Sequence, residues 1–419
     1  MAEDRLESSD EPVSLPPWAS LRYREFGLLF IASLFVTTAQ HMRLTQNLYQ
    51  VYELSGSAFQ LGLTGLAQGI SILAVGLLGG TLADFMDRRK LLLLAIGGNF
   101  LVAVTLGILT ITGSIQVWHI LVGTALTSAV NIILSPARSA MISGVVPRSH
   151  IINAVSLNAS VSQGAHFIGP MLAGLSLAWM AAGNAYLLNA LSYVPAAASV
   201  YLMRRSGASE GAKESLSIGS IWGGVRFLWR QPVIFVLVLL DFTIIGVGFY
   251  RPLLPIFAKD IFHVGPAGFG LLASAPAVGG MIAVLILLLV GEVRRKGLLV
   301  LWAFLLFSLC LGFFALSDNF LVGLLLLGAL GLTNSLQAVM RQTAFHLLTP
   351  DHLRGRAFAV FNMFSQGANS VGAMEVGFAA VLLGAPGALL LGSAIGLILT
   401  LTFWVAWPRL RQFRSDRAT

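Results

Sequence analysis

The chain has 419 residues, of which 56% are hydrophobic and only 11% are charged. Soluble globular domains carry roughly 25% charged residues, so this composition excludes an ordinary soluble protein and indicates a chain that lies largely in lipid. A single cysteine excludes a disulfide framework and a thiolate metal site within the chain. The first residues are acidic, unlike the basic start of a signal peptide, and residues 1–23 are predicted to form a retained cytoplasmic tail.

Hydrophobic segments follow one another along almost the whole sequence. A helix needs about 20 mostly apolar residues to cross the hydrocarbon core of a bilayer. Twelve such spans are predicted, over residues 24–50, 58–83, 90–112, 116–143, 152–180, 183–203, 232–258, 266–290, 297–317, 319–348, 355–383 and 386–407. The predicted fold is therefore an all-α integral membrane protein with twelve transmembrane helices.

Most of the 26 lysine and arginine residues lie in every second connection between these spans. Cationic loops resist translocation, so the side that holds them is predicted to be cytoplasmic, with both termini on that side. The same distribution explains the net charge of +8 without a nucleic-acid-binding surface. The predicted location is the bacterial inner (plasma) membrane, which the chain crosses many times.

The second half of the chain repeats the first. Ser162-Gln163-Gly164-Ala165 recurs as Ser365-Gln366-Gly367-Ala368, and the same offset relates Asn131 to Asn334 and Arg138 to Arg341. This pattern predicts two pseudo-symmetric six-helix bundles, over 24–203 and 232–407, joined by a cytoplasmic linker over 204–231 and followed by a tail over 408–419. Duplicated halves of this kind are a transporter architecture, in which the solute site lies between the halves near the membrane midplane.

The connection between spans 58–83 and 90–112 reads Gly79-Gly80-Thr81-Leu82-Ala83-Asp84-Phe85-Met86-Asp87-Arg88-Arg89-Lys90. Its arginines can bind the terminal carbonyls of the preceding helix, where the partial charge is negative. Asp84 can cap the next helix or pair with an arginine across the interface between the halves, as a conformational gate. A solvated acid beside a cationic anchor is the alternative, and an anchor is the interpretation preferred for Lys90.

These residues resemble the major facilitator superfamily. Gly80, Asp84, Arg88 and Arg89 match its pattern in this loop, whereas Phe85 and Asp87 replace the usual Arg and Gly. Other segments are similar to the group of the enterobactin exporter, macrolide efflux proteins and drug–proton antiporters; they are Tyr52-Glu53-Leu54-Ser55-Gly56-Ser57, Pro136-Ala137-Arg138, Pro350-Asp351-His352-Leu353-Arg354-Gly355-Arg356 and Gly384-Ala385-Pro386. The resemblance implies an exporter.

The span over 152–180 carries a motif close to the glycine–proline signature of the antiporters. Its residues are Gly164, Gly169, Pro170 and Gly174, with Ala173 in place of a second glycine of that signature. Gly169-Pro170 removes a side chain and a hydrogen bond, which permits a bend and a close approach of another helix. Flexing during transport and simple packing both remain open as its role.

Ionisable side chains inside a bilayer are costly, so each needs a partner or a function. Asp241, Glu375 and His166 are the candidates for proton coupling, with Asp241 placed near the membrane midplane. The alternative for Asp241 is a structural ion pair with a cation of another helix. The alternative for His166 is a hydrogen-bonded residue of the core.

The outer half of the first span is unusually polar. It holds the residues predicted to face a substrate cavity, which are His41, Arg43, Gln46, Asn47 and Gln50. There they would bind an anionic or polyhydroxylated solute, although His41 and Arg43 are alternatively partners for Glu375 or Asp241. Arg251 is predicted to be an interfacial anchor that reaches outward.

The leading hypothesis is a secondary active transporter that exports a small amphipathic compound, antibiotic-like or siderophore-like, by proton-coupled alternating access. Uptake of a nutrient or flipping of a lysolipid is the alternative, and a membrane-embedded enzyme or a sensor is a more remote one. The sequence has no Walker-type loop and no metal-ligand spacing, so we expect no enzyme activity, no cofactor and no metal, with the proton gradient as the energy source. The expected partners are the small-molecule substrate, protons and membrane lipid, without nucleic acid, and the chain is expected to be a monomer.

Overall fold

A computed structural model describes residues 16, 18–76, 87–204, 236, 239–242, 246, 248–291, 293, 295–349 and 351–407. All regular secondary structure in these residues is helical. In the first half the helices are α1 (Arg24–Ser55), α2 (Ala58–Gly76), α3 (Arg88–Ile111), α4 (Val117–Val145), α5 (Ile151–Trp179) and α6, which runs over Ala182–Leu191 and Tyr193–Leu202. In the second half they are α7 (Gly265–Val290), α8 (Lys296–Ala315), α9 (Phe320–Leu348) and α10 (Asp351–Ala406).

Between α6 and α7, residues 239–242 are helical. They are followed by a short mixed segment made of a 3-10 turn at Arg251–Leu253, a helical turn at Leu254–Ile256 and a π-helical turn at Phe257–Ile261. Pro252 is the second residue of this segment, and its ring fixes φ and supplies no N–H, as suits the first turn of a helix.

The residues at the helix ends account for where the helices stop. Gly56 follows α1 with φ 59° and Gly291 follows α7 with φ 69°, a left-handed backbone that glycine adopts without a steric penalty. Asn319 caps α9 by accepting hydrogen bonds from the backbone N–H groups of Leu321 (2.9 Å) and Val322 (3.2 Å). Gly384, with φ 73°, breaks α10 into two parts.

Seven helical stretches among the described residues are long and apolar enough to cross a membrane. One of them is the 42-residue stretch Ser365–Ala406, which Gly384 divides. Helices α1, α2 and α5, with 32, 19 and 29 residues, also have the length for a crossing. The chain is therefore an all-α membrane protein, while the number of twelve spans and the side of the termini stay predictions, because residues 77–86 and most of 231–247 lie outside the description.

Each half of the sequence contributes its own hydrophobic core. The first core joins α1, α3, α4, α5 and α6 through residues such as Phe26, Ile96, Leu134, Ala154 and Tyr193. The second joins the 239–242 helix to α7, α8, α9 and α10 through residues such as Leu240, Phe269, Phe304, Leu330 and Leu389. The predicted bounds of the two bundles, and the linker between them, remain predictions.

The two ends of the helices differ in charge. The end that carries Arg88, Arg89, Arg148 and Arg295 is called here the arginine-rich end, and the opposite one, with the connections after α1 and before α7, the far end. Successive crossings of the chain run in opposite directions. Each crossing therefore begins at one of these two ends and finishes at the other.

Glycines let α7 and α9 pack with their backbones in contact. A Cβ on Gly279 would collide with the carbonyl group of Gly328, and one on Gly331 would collide with the backbone of Pro276. Since lipid supplies no hydrophobic force between helices, close packing of this kind is a main source of their association.

We expect Gly279→Ala to destabilise the protein, because its new methyl group meets backbone that has no free space to enter. Overpacking of this kind costs about 1–3 kcal/mol, and the melting temperature of the purified protein in detergent should fall. Gly97→Ala is the matched control, since nothing lies within 4 Å of its Cβ position. Equal melting temperatures of the two variants would contradict the packing role of Gly279.

Candidate transport cavity

A cavity of about 380 Å³ lies between the two halves of the chain. Its walls come from α1, α2, α4 and α5 on one side and from residues 249–254, α7, α9 and α10 on the other. The polar part of the lining consists mainly of amides, which are Asn47, Gln68, Gln163, Asn334, Gln366 and Asn369, and the apolar part includes Leu44, Leu48, Ile72, Phe249 and Phe269. This volume and mixture suit a small ligand with polar and apolar faces.

Two histidines of different helices meet in the cavity wall. The rings of His41 on α1 and His166 on α5 have their centroids 3.8 Å apart and are tilted by 43°. Gly169 permits this approach, because a Cβ there would lie 2.6 Å from the Cβ of His41 and 3.0 Å from the backbone nitrogen of Met42. The glycine of the predicted motif thus packs α5 against α1, and Pro170 lies next to it in the cavity wall.

Arg251 supplies a third basic group. It lines the same cavity and lies close enough to both imidazoles to interact with them electrostatically. The prediction that it anchors the chain at the outer interface is therefore corrected. The 3-10 turn that begins at Arg251 turns the backbone at this point. Pro252 is a sign of that turn in the sequence, but it does not show that the Arg251 side chain faces the cavity.

The polar residues of α1 divide between two faces of the helix. His41 and Asn47 line the cavity, and Asn47 donates a hydrogen bond to Thr124 Oγ1 (2.9 Å) while accepting one from the Tyr186 hydroxyl (2.9 Å). Helical spacing places the cavity-lining His41, Leu44, Thr45 and Leu48 on one face.

Arg43, Gln46 and Gln50 lie elsewhere, so the structure does not place them against a solute. Arg43 donates hydrogen bonds to the Tyr193 hydroxyl (3.2 Å) and Asn99 Oδ1 (3.1 Å). Gln46 donates to the carbonyl of Ala185 (3.0 Å), and Gln50 donates to Thr110 Oγ1 (2.9 Å). These side chains tie α1 to α3 and α6, because a polar group buried in a membrane helix bundle needs a partner.

Asp241 forms an ion pair with Arg341 of α9. The pair is buried, with Asp241 only 2% exposed, and the Ser365 hydroxyl donates a hydrogen bond to the carboxylate at 3.4 Å. Arg341 lies six residues from the cavity-lining Ser335, or about 9 Å along the helix axis toward the arginine-rich end. The structure thus contains the ion pair that was the alternative for Asp241, while its role in proton coupling stays a prediction.

The first half contains a related contact without a carboxylate. Arg138, which the repeat relates to Arg341, donates a hydrogen bond to Thr37 Oγ1 at 3.1 Å. Thr37 stands 101 residues before Arg138, and Asp241 stands 100 residues before Arg341 (341 − 241). The two related arginines therefore bind a neutral hydroxyl in the first half and a carboxylate in the second.

Glu375 lies on α10 and is half-buried. Its Oε2 atom has no hydrogen-bond partner among the described residues, and Glu375 is not one of the residues that line the cavity. Its role in proton coupling remains a prediction.

The predicted gate loop is described only in part, since Gly80 and Asp84 fall outside the described residues. Asp87 caps α3 by accepting hydrogen bonds from the N–H groups of Arg89 (2.8 Å) and Lys90 (3.3 Å). Arg88 donates to the carbonyl of Ala140 at 3.4 Å. The residue that caps α3 is therefore Asp87, one of the two residues that depart from the superfamily pattern.

Arg89 binds the last turn of α6. It donates hydrogen bonds to the carbonyls of Val200 (3.1 Å) and Tyr201, and its guanidinium lies over the Tyr201 ring at 5.7 Å. The arginines thus bind carbonyl groups of α4 and α6, because tertiary packing brings those helices alongside the loop. Contacts with the end of the predicted span 58–83 stay a prediction, because residues 77–86 lie outside the described part of the chain.

Two pairs of glycines join the halves near the far end. A Cβ on Gly174 of α5 would lie 2.6 Å from the Cα of Gly270 on α7, and one on Gly377 of α10 would lie 2.8 Å from the Cα of Gly62 on α2. The repeat relates Gly174 to Gly377, so the two contacts are pseudo-symmetric. Gly164, by contrast, has nothing within 4 Å of its Cβ position.

Polar contacts join the halves at the same end. The Tyr52 hydroxyl donates a hydrogen bond to Asp260, and Lys259 Nζ lies 4.0 Å from a carboxylate oxygen of Glu53. All four residues lie in or beside the last turn of α1 and the π-helical turn 257–261.

The cavity is closed toward the far end and accessible from the arginine-rich end. Asn47 and Phe269 are only 2% and 1% exposed. Gln163 and Gln366, which line the cavity on the other side, are exposed. The conformation therefore presents the cavity to one side of the membrane.

A sequence family described as transmembrane secretion effector matches residues 15–418. The chain belongs to this family of the major facilitator superfamily. It is accordingly a transporter and not an enzyme, and it is a multi-pass protein of the bacterial inner (plasma) membrane.

Curated relatives of known name cover most of the chain at low identity. The staphyloferrin A transporter of Staphylococcus aureus is 25% identical over 73% of this chain and 77% of its own. The enterobactin exporter of Escherichia coli is 25% identical over 87% and 88%, and the multidrug efflux pump Tap of Mycolicibacterium fortuitum is 21% identical over 92% and 96%.

Solved structures share the fold. A bacterial homologue of the human lysosomal transporter Spinster aligns over 93% of this chain and 98% of its own, with a TM-score of 0.73 and 12% identity. A variant of the nucleoside transporter NupG aligns over 91% and 100%, with a TM-score of 0.74 and 12% identity.

Several cavity residues had not been predicted as such. Gln163 and Gln366, which the repeat relates to each other, both line the cavity, and so does Asn334. The signal was present in the repeat itself, since polar residues that recur within apolar helices of both halves are candidates for the shared central face.

We expect Gly174→Ala to open the far end, because its methyl group would meet the backbone of Gly270. A cysteine introduced at Ser335, in a Cys310→Ser background, should react several-fold faster with a membrane-impermeant maleimide added from the far-end side. Gly164→Ala, the same change on the same helix, should leave that rate unchanged. Equal rates in both variants would show that this glycine contact does not hold the far end closed.

Proposed function

We propose that the chain is a proton-coupled exporter of a small amphipathic compound, and that it works by alternating access. The observation that carries this proposal is the cavity between the halves, which is lined by amides and apolar side chains and closed toward the far end. The positive-inside pattern assigns the arginine-rich end to the cytoplasm. In this arrangement an exporter would take up its solute from the cytoplasm, whereas an importer would release it there, so the proposed direction rests on the relatives named above.

The contacts at the far end are of a kind that can separate. The ion pair of Lys259 and Glu53 joins side chains that are 45% and 44% exposed, and exposed pairs contribute only about 0–1 kcal/mol. The glycine contacts are smooth backbone surfaces without interlocking side chains. Rocking of one half against the other would open this end and close the other.

The names of the relatives favour export as the direction. Two of those named above are an exporter and an efflux pump, and the siderophores in two of the names and the drugs in the third are small compounds. We accordingly propose a siderophore-like or drug-like compound as the solute, and the monomer as the working unit.

The experiment is transport into everted membrane vesicles, in which the cytoplasmic face is outside. Respiring vesicles that contain the protein should accumulate a substrate from a panel of siderophores and antibiotics, and a protonophore should abolish this. Accumulation in right-side-out vesicles instead would show uptake, and transbilayer movement of labelled lysolipid without any solute transport would show a flippase.

We propose Asp241 as the proton site. It is an acid in the membrane-embedded part of the chain, it lies between the cavity and the arginine-rich end, and its partner is a cation. Protonation of Asp241 would remove the attraction to Arg341, so proton binding and the packing of α9 against the 239–242 helix are coupled. Thr37, the partner of Arg138 in the first half, has no titratable group.

We expect Asp241→Asn to abolish proton-driven accumulation. Removing one partner of a buried ion pair costs about 3–5 kcal/mol, so the single variant tests stability as well as coupling. The double variant Asp241→Asn/Arg341→Gln leaves no unpaired charge and should restore folding and substrate counterflow, but not accumulation driven by the pH gradient.

Thr37→Val is the matched control, because it removes the corresponding contact of Arg138 without removing a titratable group. It should retain proton-driven transport. If the double variant at Asp241 and Arg341 regained full proton-driven accumulation, the pair would have a structural role only.

A further inference from the structure

We propose that the cavity selects an anionic compound, one that carries carboxylates or similar acidic groups, over a cationic one. This inference rests on the proposed function as an exporter and adds the chemical class of its substrate. It follows from the charges of the cavity wall, which comes from both halves of the chain.

The wall contains basic groups and, among the described residues, no carboxylate. His41, His166 and Arg251 are its basic side chains, and the remaining polar lining is made of amides and hydroxyls. The residues at 243–245 and 247, outside the description, are Thr, Ile, Ile and Val by sequence, so they add no acid to this span.

The acids nearest in sequence to the cavity-lining segments are not among the lining residues; they are Glu375, Glu53, Asp260 and Asp241. Asp241 is already paired with Arg341. A cationic solute would thus face the guanidinium of Arg251 without a counter-charge among the described lining residues. An anionic solute would find charge-assisted donors, and the planar guanidinium of Arg251 can bind a carboxylate with two hydrogen bonds.

The basic groups belong to different halves. The stacked histidines lie on α1 and α5, whereas Arg251 begins the turn 251–253 of the second half. When the cavity closes around its contents and water leaves, an uncompensated cation becomes costly. A bound anion removes that cost, so its charge would favour closure of the loaded cavity over closure of the empty one.

The apolar lining completes the match to an amphipathic acid. Leu44, Leu48, Phe249 and Phe269 can contact a hydrocarbon or aromatic body, while the amides Gln163 and Gln366 can bind its neutral polar groups. A cavity of about 380 Å³ has room for one such molecule and not for a large assembly.

The test uses two dyes that share a xanthene core and differ in charge, the anion 5-carboxyfluorescein and the cation rhodamine 6G. Their binding to the full-length protein in lipid nanodiscs is measured by fluorescence anisotropy. We expect the anion to bind at least about tenfold more tightly, and Arg251→Gln to weaken its binding about tenfold, as loss of a charged hydrogen bond does. Arg251→Lys keeps the charge but not the two-pronged hydrogen bond, so its affinity for the anion should lie between those of the parent protein and Arg251→Gln.

Arg148→Gln is the matched control, since Arg148 is an exposed arginine at the arginine-rich end, outside the cavity. It should leave both affinities unchanged. Equal or tighter binding of rhodamine 6G, or no measurable binding of 5-carboxyfluorescein, would overturn the anion assignment.

The same dyes separate this inference from the exporter proposal. Accumulation of rhodamine 6G in everted vesicles would support export while removing the anionic class. Accumulation of 5-carboxyfluorescein in right-side-out vesicles would support the anionic class while overturning the direction of transport.

Discussion

Placing a polar group in hydrocarbon without a hydrogen-bond partner has a high free-energy cost, and this cost determines the main features of the structure. It restricts the described backbone to helices, which satisfy their own N–H and C=O groups. It also explains why buried side chains such as Arg43, Gln46 and Asn189 reach across to other helices, with Asn189 donating to the carbonyl of Ala39 at 2.7 Å. The wall of the cavity is lined by amide, imidazole and guanidinium groups, so a solute there can supply further hydrogen-bond partners.

A comparison of the two halves through the internal repeat separates two kinds of feature. The helix contacts that permit rocking are the mechanical parts, and the ionisable and polar side chains are the chemical parts. The mechanical parts are symmetric, since the contact of Gly174 with Gly270 has its counterpart in that of Gly377 with Gly62. A rocking motion needs such matched surfaces on both sides of its axis. The chemical parts are asymmetric, because Arg341 pairs with the acid Asp241 whereas the related Arg138 binds the hydroxyl of Thr37, and the described histidines of the cavity wall, His41 and His166, both belong to the first half.

The comparison with relatives establishes the kind of protein, whereas the cavity carries the information about its solute. Family membership establishes a transporter of the major facilitator superfamily, but the names of its relatives range from siderophore transport to multidrug efflux. Transporters that share one fold differ in the few side chains that line the cavity. Here those side chains include Arg251, His41 and His166 and, within the described part of the chain, no carboxylate, so their charge is the more direct guide to the solute.

The sequence by itself determined the all-helical membrane fold, the superfamily and the repeat, because hydropathy, loop charge and identities at one offset are properties of the linear chain. It also located His41, Asn47 and His166, which the structure places in the cavity wall. Only the tertiary structure decided which face of α1 each polar residue occupies, that Arg251 turns into the cavity and that Arg341 is the partner of Asp241. The physical reason is that burial, pairing and cavity shape depend on how helices rotate and pack against one another, and a period of 3.6 residues gives the faces of a helix but not the neighbour that each face meets.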